Sequence, residues 1–552
     1  MILIGGLIIM RKCTVHRGQH LRTEHQVVSS GYIFSCHAQC VLSHTYFSVF
    51  CVNIILYMMA GRLDGYWMTY NTIGLQNDDT DGDTPGRPTR RFEISSLLSM
   101  LYGMSVFLLV MPVLTVMVKQ FVAGVQGCAS FSIFFGCDYI VTLFIISEIH
   151  MVTTFIMEFY FRRTQHTEPV TKHMEVNAYV KLGLYVFAGA AIAVNLLILI
   201  KKLTVSKLYH INSIVFFIMQ VIYLQRYSRV CFQKLRILNR FGIIQILVTN
   251  LSHWVLLVSY ETYIDYVQEK NGTNITTYDK VFPYLMDCTV EYCLIAAALL
   301  GNMWRNIGRT PKLEIIIHRA WTQSIRSSIY GIFAGILIVV AVSFIGICLL
   351  NISATGGCFK GGHFIPWEVY FRIGLASAVI ICVIYCALFL KPTSTSYRND
   401  TPSGLNQDGV LLLCCVGVRV LQDMFSILAA VVLFTKHSKY NITLLDSLIF
   451  LTATLAQSTL IILGHVKRSV KEERKRTVQN ILLFLSITNF SLWTLSHYEL
   501  KNDKSFYPLE RRAYGSLIWY LMHHVTGPVI SFYYFHSAAC LFELWIAISH
   551  NT

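Results

Sequence analysis

The chain has 552 residues, 54% of them hydrophobic and only 14% charged, with a formal net charge of +15. Its mean hydropathy of +0.53 excludes an ordinary water-soluble globular protein. The positive charge does not point to nucleic acid, because the basic residues sit in alternate loops between apolar segments rather than in one patch.

The first 92 residues are mostly polar and irregular, and Asp78–Asp83 followed by Pro85 and Pro88 reads as a linker. Met1–Met10 lacks the basic start of a signal peptide. Cys36, Cys40 and His44 match no familiar zinc spacing, so no metal is expected there. Tyr46–Ala60 is apolar but short, and fits a re-entrant or peripheral segment better than a span.

Twelve segments are then apolar enough, and about long enough, to cross a bilayer that takes about 20 helical residues. The first six are predicted near Ser95–Val118, Phe131–Glu158, Tyr179–Ile200, Ile211–Cys231, Phe241–Thr262 and Met286–Met303. The second six are predicted near Ser328–Leu350, Val369–Leu390, Val410–Phe434, Leu444–Leu463, Val478–Leu495 and Tyr514–Trp545. They are continuously apolar rather than alternating, which favours helices over a β-barrel.

The even-numbered loops hold the basic clusters, among them Arg226, Arg229, Lys234 and Arg236, then Arg305, Arg309, Lys312 and Arg319, then Lys467 to Arg476. By the positive-inside rule these loops and both termini are cytoplasmic. The sequons at Asn271, Asn274, Asn351 and Asn441 all fall in loops on the opposite side, where glycosylation takes place. The expected location is the plasma membrane.

One pattern appears twice. Thr249-Asn250-Leu251-Ser252-His253-Trp254 with Tyr260-Glu261 recurs 239 residues on as Thr488-Asn489-Phe490-Ser491-Leu492-Trp493 with Tyr498-Glu499. Gln220 recurs as Gln457, while Tyr292, Ala297, Ala298, Leu300 and Trp304 recur as Tyr533, Ala538, Ala539, Leu541 and Trp545. A near-constant offset over three segments marks an internal repeat. Six helices per copy is an even number, so the two halves are parallel rather than inverted. The expected fold is an all-α polytopic membrane protein of twelve helices in two pseudo-symmetric six-helix halves. Its parts are residues 1–92, cytoplasmic; 93–304, the first half; 305–324, a cytoplasmic linker; and 325–548, the second half. No Gly-rich nucleotide loop or other cofactor motif is present, so no cofactor is expected.

Ionisable groups inside a bilayer are costly and usually face a cavity or a partner. Asn250, Trp254 and Glu261 share one helical face, whereas Glu499 comes one residue early and turns off the face of Asn489 and Trp493. Both glutamates are expected near the outer helix ends, and Glu291 at the start of the sixth helix. His536 and Glu543 share a face of the twelfth helix, which is expected to kink at Pro528. Glu148 lies near the middle of the second. Arg419 and Asp423, four apart, are expected to neutralise each other as a structural pair. Gln220 and Gln457 either line cavities or tie helices together.

At these residues the chain resembles the otopetrin family of proton channels. The similar stretches are Arg240-Phe241-Gly242, Thr249-Asn250-Leu251 with Glu261-Thr262, Val290-Glu291-Tyr292 to Trp304, Asn489–Trp493 to Glu499, and Phe535-His536-Ser537 to Trp545. The resemblance covers about Phe92 to Trp545. It implies a homodimer in the lipid bilayer that conducts protons selectively, opened by external acid in some members. It also implies that Gln220, Asn250, Glu261, Glu291, Gln457 and His536 are the functional polar residues. The chain departs from the family pattern at Gln245, where histidine is common, at Ser496, where aspartate is common, and at Tyr534, where arginine is common.

The expected function is thus a proton-selective channel and not an enzyme. A proton-coupled carrier of a small solute is the alternative, but it would need broken helices at matching positions in both halves, and Pro112 and Pro528 do not match.

Overall fold

The computed structural model describes residues 89–110, 126–165, 178–200, 207–228, 230–232, 235–271, 277–308, 328–355, 367–391, 407–434, 441–466, 469–501 and 508–550. All lie within one compact unit, Val52–Thr552. The segments Cys36–His44, Tyr46–Ala60 and Asp78–Asp83, together with Asn274, lie outside the described residues.

The described residues are nearly all helical. The first set of helices is α1 (Thr89–Leu108), α2 (Gln126–Gln165), α3 (Ala178–Ile200), α4 (Lys207–Tyr227), α5 (Arg236–Asn271) and α6 (Thr277–Asn306). The second set is α7 (Ile329–Thr355), α8 (Trp367–Phe389), α9 (Gln407–Phe434), α10 (Asn441–Val466), α11 (Glu472–Lys501) and α12 (Ser516–His550), with a short helix Pro508–Tyr514 before α12. Two-residue strands, β1 (Leu390–Lys391) and β2 (Ser469–Val470), pair antiparallel and tie the end of α8 to the start of α11.

Among the described residues, ten helices are long and apolar enough to cross a membrane. The other two are α1, whose apolar run is Ser95–Leu108, and α6, which carries Asp279, Lys280, Asp287, Glu291 and Arg305. The ends of α5 and α6 correct the sequence expectation. Helix α5 runs past Thr262 to Asn271, and α6 starts at Thr277 rather than near Met286. Apolarity stops at Asp265 and Asp279, but backbone hydrogen bonding does not, so each helix continues through its charged turns. Glu261 and Glu291 therefore sit inside their helices and not at their ends. Helix α12 runs without a break through Pro528.

Packing follows one scheme in each set. Helix α5 lies against α1, α2 and α6, α4 lies on α2 and α3, and α3 lies on α6. Helix α11 lies against α7, α8 and α12, α10 lies on α8 and α9, and α9 lies on α12. Matching details recur. Trp304 Nε1 on α6 donates to Ser99 Oγ on α1 at 3.2 Å, and Trp545 Nε1 on α12 donates to Ser328 Oγ, just before α7, at 2.8 Å. Each indole is buried, so its N–H needs an acceptor. Ser328→Ala should lower the stability of the purified protein by about 1–3 kcal/mol, the cost of stranding a buried donor. A thermal-unfolding scan in detergent checks this, with Ser105→Ala on the exposed side of α1 as the silent control.

The two sets meet where α12 touches α3, α5 and α6, and where α11 touches α6. This seam is the interior of the molecule. In α5, every residue from Ile243 to Val258 is buried, including the polar Gln245, Thr249, Asn250, Ser252 and His253. Helices α7 and α8 instead expose Phe333, Ile336, Val340 and Phe344, and Ile381, Ile384 and Leu388. Apolar surface on this scale is unfavourable in water and suited to lipid.

Candidate functional site

The two glutamine positions build different stations from similar residues. In the second set, Gln457 Nε2 donates to Asn489 Oδ1 and Asn489 Nδ2 returns a bond to Gln457 Oε1, both at 2.9 Å. Tyr533 OH lies 3.3 Å from Gln457 Nε2 and 3.2 Å from Ser458 Oγ. A small cavity opens here, lined by Gln457, Asn489, Tyr533, Tyr534 and Phe450. In the first set, Tyr292 OH donates to Gln220 Oε1 at 3.0 Å. Asn250 Nδ2 donates to Ile246 O at 2.8 Å, just as Asn489 Nδ2 donates to Leu485 O at 2.8 Å. The reciprocal amide pair is not formed there: Gln220 Nε2 and Asn250 Oδ1 are buried without a hydrogen bond. Repetition in sequence thus ends as one closed and one open amide station.

The seam holds the charged constellation. Glu291 lies halfway along α6 at 1% exposure, facing the second set. Trp493 Nε1 on α11 donates to both of its carboxylate oxygens at 3.1 Å. One turn further on, His497 Nε2 stands 3.2 Å from Glu291 Oε1 and 3.3 Å from Ser531 Oγ of α12. Ser496 Oγ, on the residue before it, donates to Ser531 Oγ at 2.9 Å. Phe187 of α3 and Phe535 of α12 meet the Trp493 ring at 5.7 and 5.9 Å, which walls the cluster with aromatic surface. The arrangement is a carboxylate, an imidazole and a hydroxyl in hydrogen-bond contact inside apolar walls. Such a set can hold and pass a proton.

Elsewhere on the seam, Thr262 Oγ1 of α5 lies 3.3 Å from His524 Nδ1 of α12, and the adjacent Glu261 is buried at 7% exposure. His523 stacks on Trp519 at 4.5 Å. Glu291 thus faces the inter-set interface, as does Thr262 beside the buried Glu261.

His536 is not part of that constellation. Its Nε2 lies 3.1 Å from the backbone carbonyl of Asp408 at the start of α9 and 3.6 Å from Cys540 Sγ, and its ring stacks on Phe532. Glu148 stands on α2, half-buried, with Oε1 unbonded. Arg419 and Asp423 form a two-point pair, with Nε to Oδ2 and an Nη to Oδ1 both 3.1 Å. Arg372 and Asp446 pair beside it at 3.4 Å, and both guanidiniums lie over the Phe450 ring. Near them, in the short helix, burial pushes the Glu510 carboxyl above its ordinary pKa. Glu499, Asn271, Asn351 and Asn441 fall within helices, but their side chains lie outside the described ones. Among the described residues, no group of three or more metal-type ligands comes together. At two positions that depart from the family pattern, uncharged contacts stand in place of charge: Tyr102 OH donates to Gln245 Oε1 at 2.7 Å, and Ser496 bonds Ser531.

Sequence reasoning missed His497 and Ser531. A signal for His497 was present: it follows Trp493 by four residues, where the first copy of the repeat has Val258 after Trp254. A titratable residue replacing an apolar one in a repeat marks a position where the halves diverge in chemistry. Sequence reasoning also passed over His253, which is buried in an aromatic nest of Phe144, Phe217 and Tyr209, with Tyr209 OH 2.7 Å from its Nε2. Both its ring nitrogens are engaged, the second by Cys293 Sγ at 3.6 Å, so it serves packing.

Comparison with known proteins finds sequences similar to this chain. The family model named Otopetrin matches residues 267–535. The Drosophila melanogaster proton channel OtopLc is 26% identical over 303 residues, covering 50% of this chain but only 18% of the fly protein. The human proton channel OTOP3 is 24% identical, over 62% of this chain and 68% of that protein. The Danio rerio proton channel OTOP1 is 23% identical, over 59% and 70%. Over residues 267–535, and in these three relatives, the chain is thus similar to otopetrin proton channels.

Proposed function

We propose that this protein is a proton-selective channel of the plasma membrane, passing protons down their electrochemical gradient. We read it as a channel rather than an enzyme because the relatives it resembles are proton channels. Twelve membrane-spanning helices form two parallel pseudo-symmetric halves, with α1 and α6 completing the ten apolar spans. The common packing scheme and the matched Trp–Ser bonds support that symmetry. Cytoplasmic termini follow from the basic loops, and a homodimer follows from the family resemblance.

The observation that carries the proposal is the Glu291–His497–Ser531 contact at the seam. A proton crosses a membrane by hopping between hydrogen-bonded groups, so it needs neither a wide pore nor a cage of oxygen ligands. A sodium or potassium ion needs one or the other in place of its hydration shell. Trp493, Phe187 and Phe535 wall this contact with aromatic rings, which supports a path of polar side chains in contact rather than a cage of oxygen ligands.

The test is whole-cell recording with imposed pH gradients and with Na⁺, K⁺ and Cl⁻ replaced in turn. The reversal potential should move by about 59 mV per pH unit, the value for a single charge, and should ignore the replaced ions. A reversal potential indifferent to pH rules the channel out.

A further inference from the structure

We propose that His497 is the proton relay of the seam, carrying protons between its accessible edge and the buried Glu291 carboxylate. This rests on the proton-channel function above and adds the route.

The Glu291 side chain is 2% exposed and the His497 side chain 14%. A proton reaching the carboxylate therefore passes through a neighbour. Trp493 is no carrier, because an indole N–H only donates. It fixes the carboxylate instead, through two 3.1 Å bonds, and its edge-on contact at 5.1 Å orients the His497 ring. Imidazole has two nitrogens and titrates near neutral pH. With Nε2 on Glu291, the ring takes a proton from water at Nδ1 and gives one up at Nε2. In that step the Nε2–H bond breaks, an O–H bond forms at Glu291 Oε1, and imidazolium plus carboxylate become imidazole plus carboxylic acid. Ser531, held by Ser496 at 2.9 Å, offers a hydroxyl acceptor and donor at the same nitrogen.

Glu291 is the carboxylate of α6 in contact with the ring, and Asp287, also buried, stands one turn before it on the same helix. His523 and His524 of α12 and Glu261 of α5 lie elsewhere along these helices, with His524 held to Thr262. Helix α7, which also packs on α11, has no acid, base or histidine from Ile329 to Ile347, and Arg372 of α8 is paired with Asp446. On α11 itself, Glu499 follows two residues later. The first copy of the repeat has Val258 at this position, so the relay belongs to the seam side of α11 alone.

Proton currents of His497→Ala and His497→Asn, normalised to surface protein, test the relay. Both should fall by about 10²-fold, the usual cost of losing a proton-transfer group, and imidazole added to the bath should restore current in His497→Ala but not in Glu291→Gln. Rescue is a readout that a merely structural role would not move. Wild-type current in either His497 variant at normal surface level overturns the relay, as does a loss in His497→Ala that imidazole leaves unchanged. A wild-type protein without proton current would instead overturn the channel function itself.

Discussion

Arg419→Met should destabilise the folded protein by about 3–5 kcal/mol, the ordinary result of stranding one member of a buried ion pair. Arg419 and Asp423 are 8% and 4% exposed, and their two 3.1 Å contacts neutralise each other within one helix. The guanidinium also lies over Phe450 and Tyr534 at 5.4 and 5.9 Å, so its removal takes packing as well as charge. Methionine refills much of the volume, which leaves the unpaired Asp423 carboxylate as the dominant cost. The double variant Arg419→Met with Asp423→Leu should recover most of the loss, because an apolar pair of similar size needs no counter-charge. Thermal unfolding of the purified protein in detergent measures both. A single variant as stable as the wild type would show that the pair contributes nothing.

Gly331→Ala should also fail, for a steric reason. A Cβ built there would lie 2.2 Å from the Asn480 carbonyl oxygen and 3.0 Å from its Cα. Those are backbone atoms of α11, and they yield only if α7 and α11 separate. The bond from Gly331 N to Asn480 Oδ1, 2.7 Å long, would go with that contact. In a helix Gly→Ala otherwise gains about 1 kcal/mol, but overpacking against fixed backbone costs about 1–3 kcal/mol, and the lost hydrogen bond adds to it. The net sign is destabilising. Gly374→Ala on α8 and Gly417→Ala on α9 are the internal controls, since nothing lies within 4 Å of a Cβ at either. Those two should be neutral or stabilising in the same unfolding assay. If all three behave alike, the close approach of α7 and α11 is wrong.

Much of the scaffold was legible in the chain. A helix in a bilayer satisfies its own backbone, so a long apolar run is enough to declare it. That holds for the ten apolar spans, among which the observed α3, Ala178–Ile200, lies within a residue of the predicted Tyr179–Ile200. It fails at the ends of α5 and α6, where apolarity and helicity part company at Asp265 and Asp279. The error displaced Glu291 from the middle of α6 to its start.

The candidate site was legible only in pieces. Glu291, Glu261, Gln220 and Gln457 stood out because polar groups in apolar helices are costly. Their partners did not, because Glu291 meets Trp493 across 202 residues of chain and no local spacing encodes that contact. The duplicated Thr-Asn-x-Ser-x-Trp motif likewise announced a repeat without revealing that Gln457 and Asn489 close on each other while Gln220 and Asn250 do not.

The sequence by itself therefore determined the membrane class and the positions of the apolar helices, since these depend on hydrophobicity along the chain. Only the tertiary structure decided that Glu291 shares its place with His497, Trp493 and Ser531. Packing two halves together brings distant side chains within 3.1–3.3 Å, and hydrogen-bond chemistry depends on that distance rather than on position in the chain.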